Sequence, residues 1–297
     1  MNILRGGGAG MRVCAVMVLT ALAAACGSSD EAPPVASVAV TLSKAQAPLG
    51  SPIDVSYRFE ALPNAGIDGD YRVFMHLLDQ DGVLRWADDH EPPTPTSQWK
   101  PGQPVEYTRT SFIPVVPYLG EAIVKVGLYK GDASGTRAPL QGPKPGEGRA
   151  YEVATLTLKP QSENIFVVLR SGFHQSEFAP ENPAREWYWT QKELVANFKN
   201  PRKASTLYLE FDARPDLFDQ PQSVNVYLGS ENVASLSASN KDPVLHRIAL
   251  SPAQLGDADI VELRIVTDPS FIPTAIGAGT DIRELGIRVY HLFVDPS

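Results

Sequence analysis

Tyr71-Arg72-Val73-Phe74-Met75-His76-Leu77-Leu78-Asp79-Gln80-Asp81-Gly82-Val83-Leu84-Arg85-Trp86 sets two runs of aromatic, aliphatic and β-branched residues on either side of an Asp-x-Asp-Gly tetrapeptide. Asp-Gly between such runs is a hairpin signal, because glycine takes the positive φ that the turn requires. The same tetrapeptide occurs in calcium loops, but the further oxygen ligands of such a loop are missing here. The stretch is a strand, a turn and a strand.

The pattern extends in both directions. Period-two alternation recurs between clusters of Pro, Gly, Asn and Asp, and helix-period patterns are almost absent. In the first half, strands are expected at 35–42, 53–59, 71–78, 83–86, 105–113, 122–129 and 151–158, which predicts an immunoglobulin-like β-sandwich over residues 36–160. Lys159-Pro160-Gln161-Ser162 is a polar, proline-containing link. Beyond it, strands at 165–170, 194–198, 206–213, 223–229, 233–238, 244–250, 260–267 and 287–293 predict a jelly-roll-like sandwich over residues 163–297. Ser251-Pro252 opens a short helical turn that stops at Gly256, since serine caps orphan amides and proline fits the first helical position. The fold class is all-β, with two tandem sandwiches.

The amino terminus has the layout of a lipoprotein signal peptide. Arg5 and Arg12 precede an apolar stretch from Val13 to Leu22, followed by Ala23-Ala24-Ala25 and Cys26. The stretch is shorter than the roughly 20 apolar residues that span a bilayer. Small residues before a cysteine resemble a lipobox, although Ala23 stands where leucine is commonest. Residues 1–25 are thus expected to be removed, Cys26 to be lipidated, and residues 26–35 to serve as a flexible tether. Met11 is an alternative start that leaves the mature chain unchanged. Gly27 gives no inner-membrane retention signal of the aspartate type, which points to the outer membrane of the cell envelope where the host has one. With Cys14 in the signal and Cys26 acylated, no cysteine remains for a disulfide.

Formal net charge is −8, and it becomes −10 once Arg5 and Arg12 are removed, with 24 basic residues facing 34 acidic ones. This balance opposes nucleic acid as a partner. The chain has no Gly-x-Ser-x-Gly elbow, phosphate-binding glycine loop, His-Glu-x-x-His helix or paired-cysteine metal site, so no enzyme, metal or cofactor is expected.

Three segments concentrate groups that could hold a ligand. The loop from Trp86 to Trp99 brings Asp88, Asp89 and His90 between two indoles and is stiffened by prolines. It could offer an aromatic platform to a sugar ring while Asp88, Asp89 or His90 bonds hydroxyls, or gather a metal ion through oxygen and nitrogen ligands; alternatively the indoles plug the sandwich end and the acids cap turns. Trp187 and Trp189 share one side of an extended chain, as core or as a stacking surface. Asp281 and Arg283 share a side as well, to brace the last strand or grip a saccharide. A glycoside hydrolase using Asp88 and Asp89 is a poor reading, because adjacent acids on an extended chain point to opposite sides.

His76-Leu77-Leu78-Asp79-Gln80-Asp81-Gly82, Trp99-Lys100-Pro101-Gly102 and Val126-Gly127-Leu128-Tyr129 in the first half are similar to segments of uncharacterised bacterial lipoprotein families. In the second half the same holds for Trp187-Tyr188-Trp189-Thr190, Phe271-Ile272-Pro273 and Asp281-Ile282-Arg283-Glu284-Leu285-Gly286. Each half also loosely resembles accessory β modules of membrane glycosyltransferases. The resemblance implies a non-catalytic envelope module that binds a glycan or a protein partner, or a structural subunit of an envelope complex. No catalytic residue comes with it.

Overall fold

A computed structural model describes residues 32–63, 66–131, 135–161, 166–180 and 182–296, without the side chains of 182–184. The expected signal peptide, Cys26 and most of the tether lie outside the described residues. Residues 34–296 belong to one compact unit. Among the described residues no helix is long and apolar enough to cross a membrane.

The chain is nearly all β, in sandwich layers, as its alternation predicts. Ten strands make the first two layers: β1 (Ala36–Leu42), β2 (Gln46–Pro48), β3 (Pro52–Ala61), β4 (Arg72–Leu78), β5 (Leu84–Ala87), β6 (Val105–Phe112), β7 (Gly120–Lys130), β8 (Thr136–Ala138), β9 (Leu140–Gln141) and β10 (Tyr151–Lys159). One sheet runs β6-β3-β1-β9 and the other β2-β10-β7-β4-β5, with β8 at the end of β7. After β1 the chain changes sheet, and β2 pairs parallel to β10, a connection in keeping with the immunoglobulin-like reading. Alternate residues of β3, namely Ile53, Val55, Tyr57 and Phe59, face Val73, Met75 and Leu77 of β4 and Val124, Val126 and Leu128 of β7 across a dry core. The hairpin stretch folds as a hairpin. Asp79 is buried at the turn and accepts from the Asp81 and Val83 amides at 3.0 and 2.8 Å and from Arg85 Nε at 2.7 Å, while Gly82 takes φ 78°.

The second sandwich contains β11 (Val167–Phe173), β12 (Glu177–Ala179), β13 (Asn182–Lys199), β14 (Ser205–Asp212), β15 (Gln222–Leu228), β16 (Glu231–Ala238), β17 (Val244–Leu250), β18 (Ile260–Asp268) and β19 (Arg288–Pro296). β13 belongs to both layers. Its carboxyl-terminal half pairs with β11 and β18, and its amino-terminal half with β12 and β19. Gly172 lies at the β11 bulge with φ +75°, where a Cβ would sit 1.7 Å from the Glu193 carbonyl oxygen. Leu194, Ala196 and Phe198 of β13 thus share a core with Leu207, Leu209 and Phe211 of β14 and Val224 and Val226 of β15. The short helix α1 (Pro252–Leu255) has the expected serine cap, completed by Gln254 as a capping box.

The two sandwiches meet where β3 and β6 of the first face β14, β17 and β19 of the second. Arg247 grips the Asp54 carboxylate at 3.1 and 2.5 Å and also donates to Thr110, whose hydroxyl bonds Asp54 at 2.7 Å. Phe112 stacks on His291 with centroids 4.0 Å apart and planes 4° apart, and meets Tyr208 and Phe293 edge-on. Lys44 pairs with Asp295 at 2.7 Å.

Candidate functional site

The aromatic loop after β5 begins on an ordinary strand and then sends its polar side chains three ways. Trp86 is half-buried against the first core. Asp88 turns toward β6, where its carboxylate accepts from Ser111 Oγ at 2.7 Å and Arg109 Nη2 at 3.2 Å. Asp89 turns to the outer face of β4, 3.6 Å from His76 Nε2. Its burial opposes ionisation, but bonds from His76 and Tyr129 outweigh this and hold its carboxyl below the usual range.

His90 points inward and is 5% exposed. Its Nδ1 lies 3.2 Å from the Asp88 carbonyl oxygen, and its Nε2 lies 2.9 Å from the Tyr107 hydroxyl. A carbonyl only accepts, so Nδ1 carries the proton and Nε2 accepts from Tyr107. Burial, then the Arg109 charge, pushes the imidazole down to about 4, and at neutral pH it is an uncharged core group. Trp99 is 7% exposed, its ring 5.0 Å from Phe59 and its indole N–H bonded to the Thr94 carbonyl oxygen at 2.9 Å. The five candidates of this loop do not converge on one point.

What the loop does build is a cleft of about 220 Å³ between Asp70, Tyr71 and Arg72 on one side and Glu91, Pro92 and Pro95 on the other. Three bonds hold the walls together. The buried Thr96 hydroxyl accepts the Tyr71 amide at 2.8 Å and donates to the Gly69 carbonyl at 2.9 Å, and the Ser97 amide donates to Asp70 Oδ1 at 3.0 Å. The Ser97 bonds hold the Asp70 carboxyl below its ordinary pKa. Arg72 reaches the Asp89 carbonyl at 3.4 Å, and Lys130 stands 5.7 Å from the centre of the Tyr71 ring. The cleft therefore presents a phenol ring, a guanidinium and two carboxylates on a proline-stiffened frame.

In the second sandwich, Trp187 and Trp189 do lie near each other, with the Arg288 guanidinium 5.2 and 5.6 Å from their ring centres. Trp189 also meets Phe271 edge-on at 6.0 Å in a small cluster with Leu285. Arg288 grips Asp212 through both carboxylate oxygens at 2.7 and 2.6 Å, and the Tyr290 hydroxyl donates to Asp212 at 2.8 Å. Asp281 and Arg283 form a chelated pair at 2.9 and 2.7 Å, and Arg283 reaches back to Glu177 of β12 at 2.8 Å. That tie joins the segment before β19 to the strand paired with β13.

Asp70, Tyr71, Arg72 and Glu91 were not singled out by the sequence. Asp70, Tyr71 and Arg72 belong to a Gly-Asp-Tyr-Arg turn opening a strand, which says nothing of the Glu91 loop that faces it.

No protein-family model matches the chain, and no curated protein matches it. Among solved structures it is similar to a β-glucuronidase of Bacteroides uniformis, with TM-score 0.30 and 11% identity over 85% of this chain and 28% of that one. The CBM51-2 and INT domains of Clostridium perfringens ZmpB in complex with GlcNAc align with TM-score 0.27 and 10% identity, over 61% of this chain and 38% of that one. The tandem CBM22 domains of Paenibacillus barcinonensis Xyn10C give TM-score 0.25 and 11% identity, over 84% and 79%. The chain spans less than a third of the β-glucuronidase. At these values the likeness carries no functional reading.

Proposed function

We propose that this protein is a non-catalytic envelope lipoprotein, held to the membrane by acylated Cys26, that binds a glycan in the cleft at the end of its first sandwich. The observation that carries the reading is the cleft wall, lined by Asp70, Tyr71 and Arg72 on one side and by Glu91, Pro92 and Pro95 on the other. An aromatic face takes the C–H side of a sugar ring, and charged acceptors and donors bond its hydroxyls more strongly than neutral groups do. The volume is below the ~300 Å³ at which drug-sized sites begin, so one ring of a chain would enter. A second reading, a protein partner adding a strand to an exposed sheet edge, is supported by β11, which among the described residues pairs with β13 alone, and by the exposed side chains of Val168 on it and Phe166 just before it.

Calorimetry with cell-wall and capsular oligosaccharides tests the glycan reading. Tyr71→Ala is expected to weaken a detected affinity about tenfold or more. Unchanged affinity in both Tyr71→Ala and Arg72→Ala would remove the cleft from consideration. Mass spectrometry of the membrane-extracted protein tests the anchor, which requires a lipid mass on Cys26 that is lost in Cys26→Ser.

A further inference from the structure

A second cleft, of about 280 Å³, opens where the sandwiches meet, and its walls come from both. Gly50 and Phe112 line it from the first sandwich, and Leu169, Tyr188, Tyr290, His291 and Phe293 are among the residues that line it from the second. It shares no residue with the cleft beside Tyr71.

Three features decide what could occupy it. The wall is rich in rings, two of which, Phe112 and His291, are stacked on each other and so held in place. The polar groups around it are already committed: the Tyr290 hydroxyl to Asp212, His291 Nδ1 to Glu210 at 2.6 Å, and Arg247 to Asp54. Tyr188 is the exception. Its ring is set by an edge-on contact with Phe173 at 6.3 Å, yet its hydroxyl has no hydrogen-bond partner among the described residues. Burial pushes this phenol up, so it stays an O–H donor at neutral pH.

We propose that this inter-sandwich cleft binds a small, planar, uncharged aromatic molecule whose carbonyl oxygen accepts a hydrogen bond from Tyr188. A polyhydroxylated ring would enter with most of its hydroxyls unpaired, and unmade bonds of buried polar groups cost more than made ones return. An anion would face the carboxylates of Glu210 and Asp212, which stand directly behind His291 and Tyr290. A neutral ring with one acceptor meets neither penalty. Because Phe112 belongs to the first sandwich, occupancy also depends on the contact between the two.

The test uses the full chain, with coumarin as probe and its carbonyl-free analogue 2H-chromene as control. Coumarin is expected to bind with Kd on the order of 0.1–1 mM, typical of a fragment of this size, and 2H-chromene about five- to tenfold more weakly, the usual effect of one hydrogen bond. Tyr188→Phe keeps the ring, and its fold is checked by circular dichroism. In that variant the two probes are expected to bind alike, and Phe112→Ala is expected to weaken both. No coumarin binding up to about 10 mM overturns the proposal, as does a coumarin-to-chromene ratio that Tyr188→Phe leaves unchanged. Loss of coumarin binding in Tyr71→Ala would place the probe in the other cleft and overturn it too.

Discussion

Removing the guanidinium of Arg288 isolates a carboxylate that has no contact with water. The Asp212 side chain is 0% exposed, and its two oxygens are met by Arg288 and by the Tyr290 hydroxyl. Arg288→Met keeps most of the aliphatic stem beside Trp187 and Trp189 but leaves Asp212 with one neutral partner. Breaking a buried pair from one side costs about 3–5 kcal/mol, because the remaining charge is uncompensated. Replacing both members is milder, so Asp212→Asn with Arg288→Met is expected to cost less than about 2 kcal/mol.

The same pair sets a pH signature. Burial raises the folded pKa of Asp212, and Arg288 and Tyr290 only partly offset it. A carboxyl with a raised folded pKa favours the folded state fully at pH below its unfolded value, and that contribution is lost as pH rises through the folded pKa. Without Arg288 the folded pKa climbs further, by about 1.4 kcal/mol of recoverable stability per unit. Urea unfolding of the variant at about pH 5 and about pH 7.5, followed by tryptophan fluorescence, should show a clearly smaller deficit at the lower pH. A deficit under about 1 kcal/mol that is the same at both values would refute the account of this site.

Three further outcomes follow from other parts of the molecule. His90 has a folded pKa near 4, below its unfolded value, so its stabilisation is present above about pH 6.5 and is lost as pH falls toward about 4, at roughly 3 kcal/mol in all; its proton resonances should not titrate near pH 6.5, and the acid limb of the urea midpoint should flatten in His90→Gln. Gly127→Ala would place a Cβ 2.4 Å from the Phe74 ring and 2.7 Å from the Arg149 carbonyl oxygen, and should lower stability by about 1–3 kcal/mol in thermal melts. Asp54→Ala removes the bidentate Arg247 tie, and since both partners are partly exposed the loss should stay near 1 kcal/mol or below in urea unfolding.

The strands that the alternation made legible are those long enough to show it. β2, β8, β9 and β12 have two or three residues each, too few for a period, and they exist because neighbouring strands offer edges. β13 was legible only in its second half for a different reason. Trp187 and Trp189 alternate on odd positions, while Leu194, Ala196 and Phe198 alternate on even ones, and the phase change falls where the strand leaves one layer for the other. A periodic reading stops at such a break. The loop from Trp86 to Trp99 was visible as composition, but its facing wall was not. Asp70 and Tyr71 are joined to it by bonds spanning 27 and 25 residues, which a local pattern does not contain.

The direction of the first sandwich bears on what its cleft could reach. β1 starts at Ala36 opposite Ala61, and the Val35 amide bonds the Pro139 carbonyl at 2.9 Å. β3 runs from Pro52, near the Asp54 tie to the second sandwich, to that same far end, where Phe59 carries the ring of Trp99. The chain therefore enters the first sandwich at the end that holds the cleft, and the second sandwich stands at the other. If Cys26 is acylated as proposed, the lipid precedes this end of the sandwich in the chain, and lengthening the segment between Cys26 and Pro34 is expected to leave the affinity for a soluble oligosaccharide fragment unchanged in calorimetry.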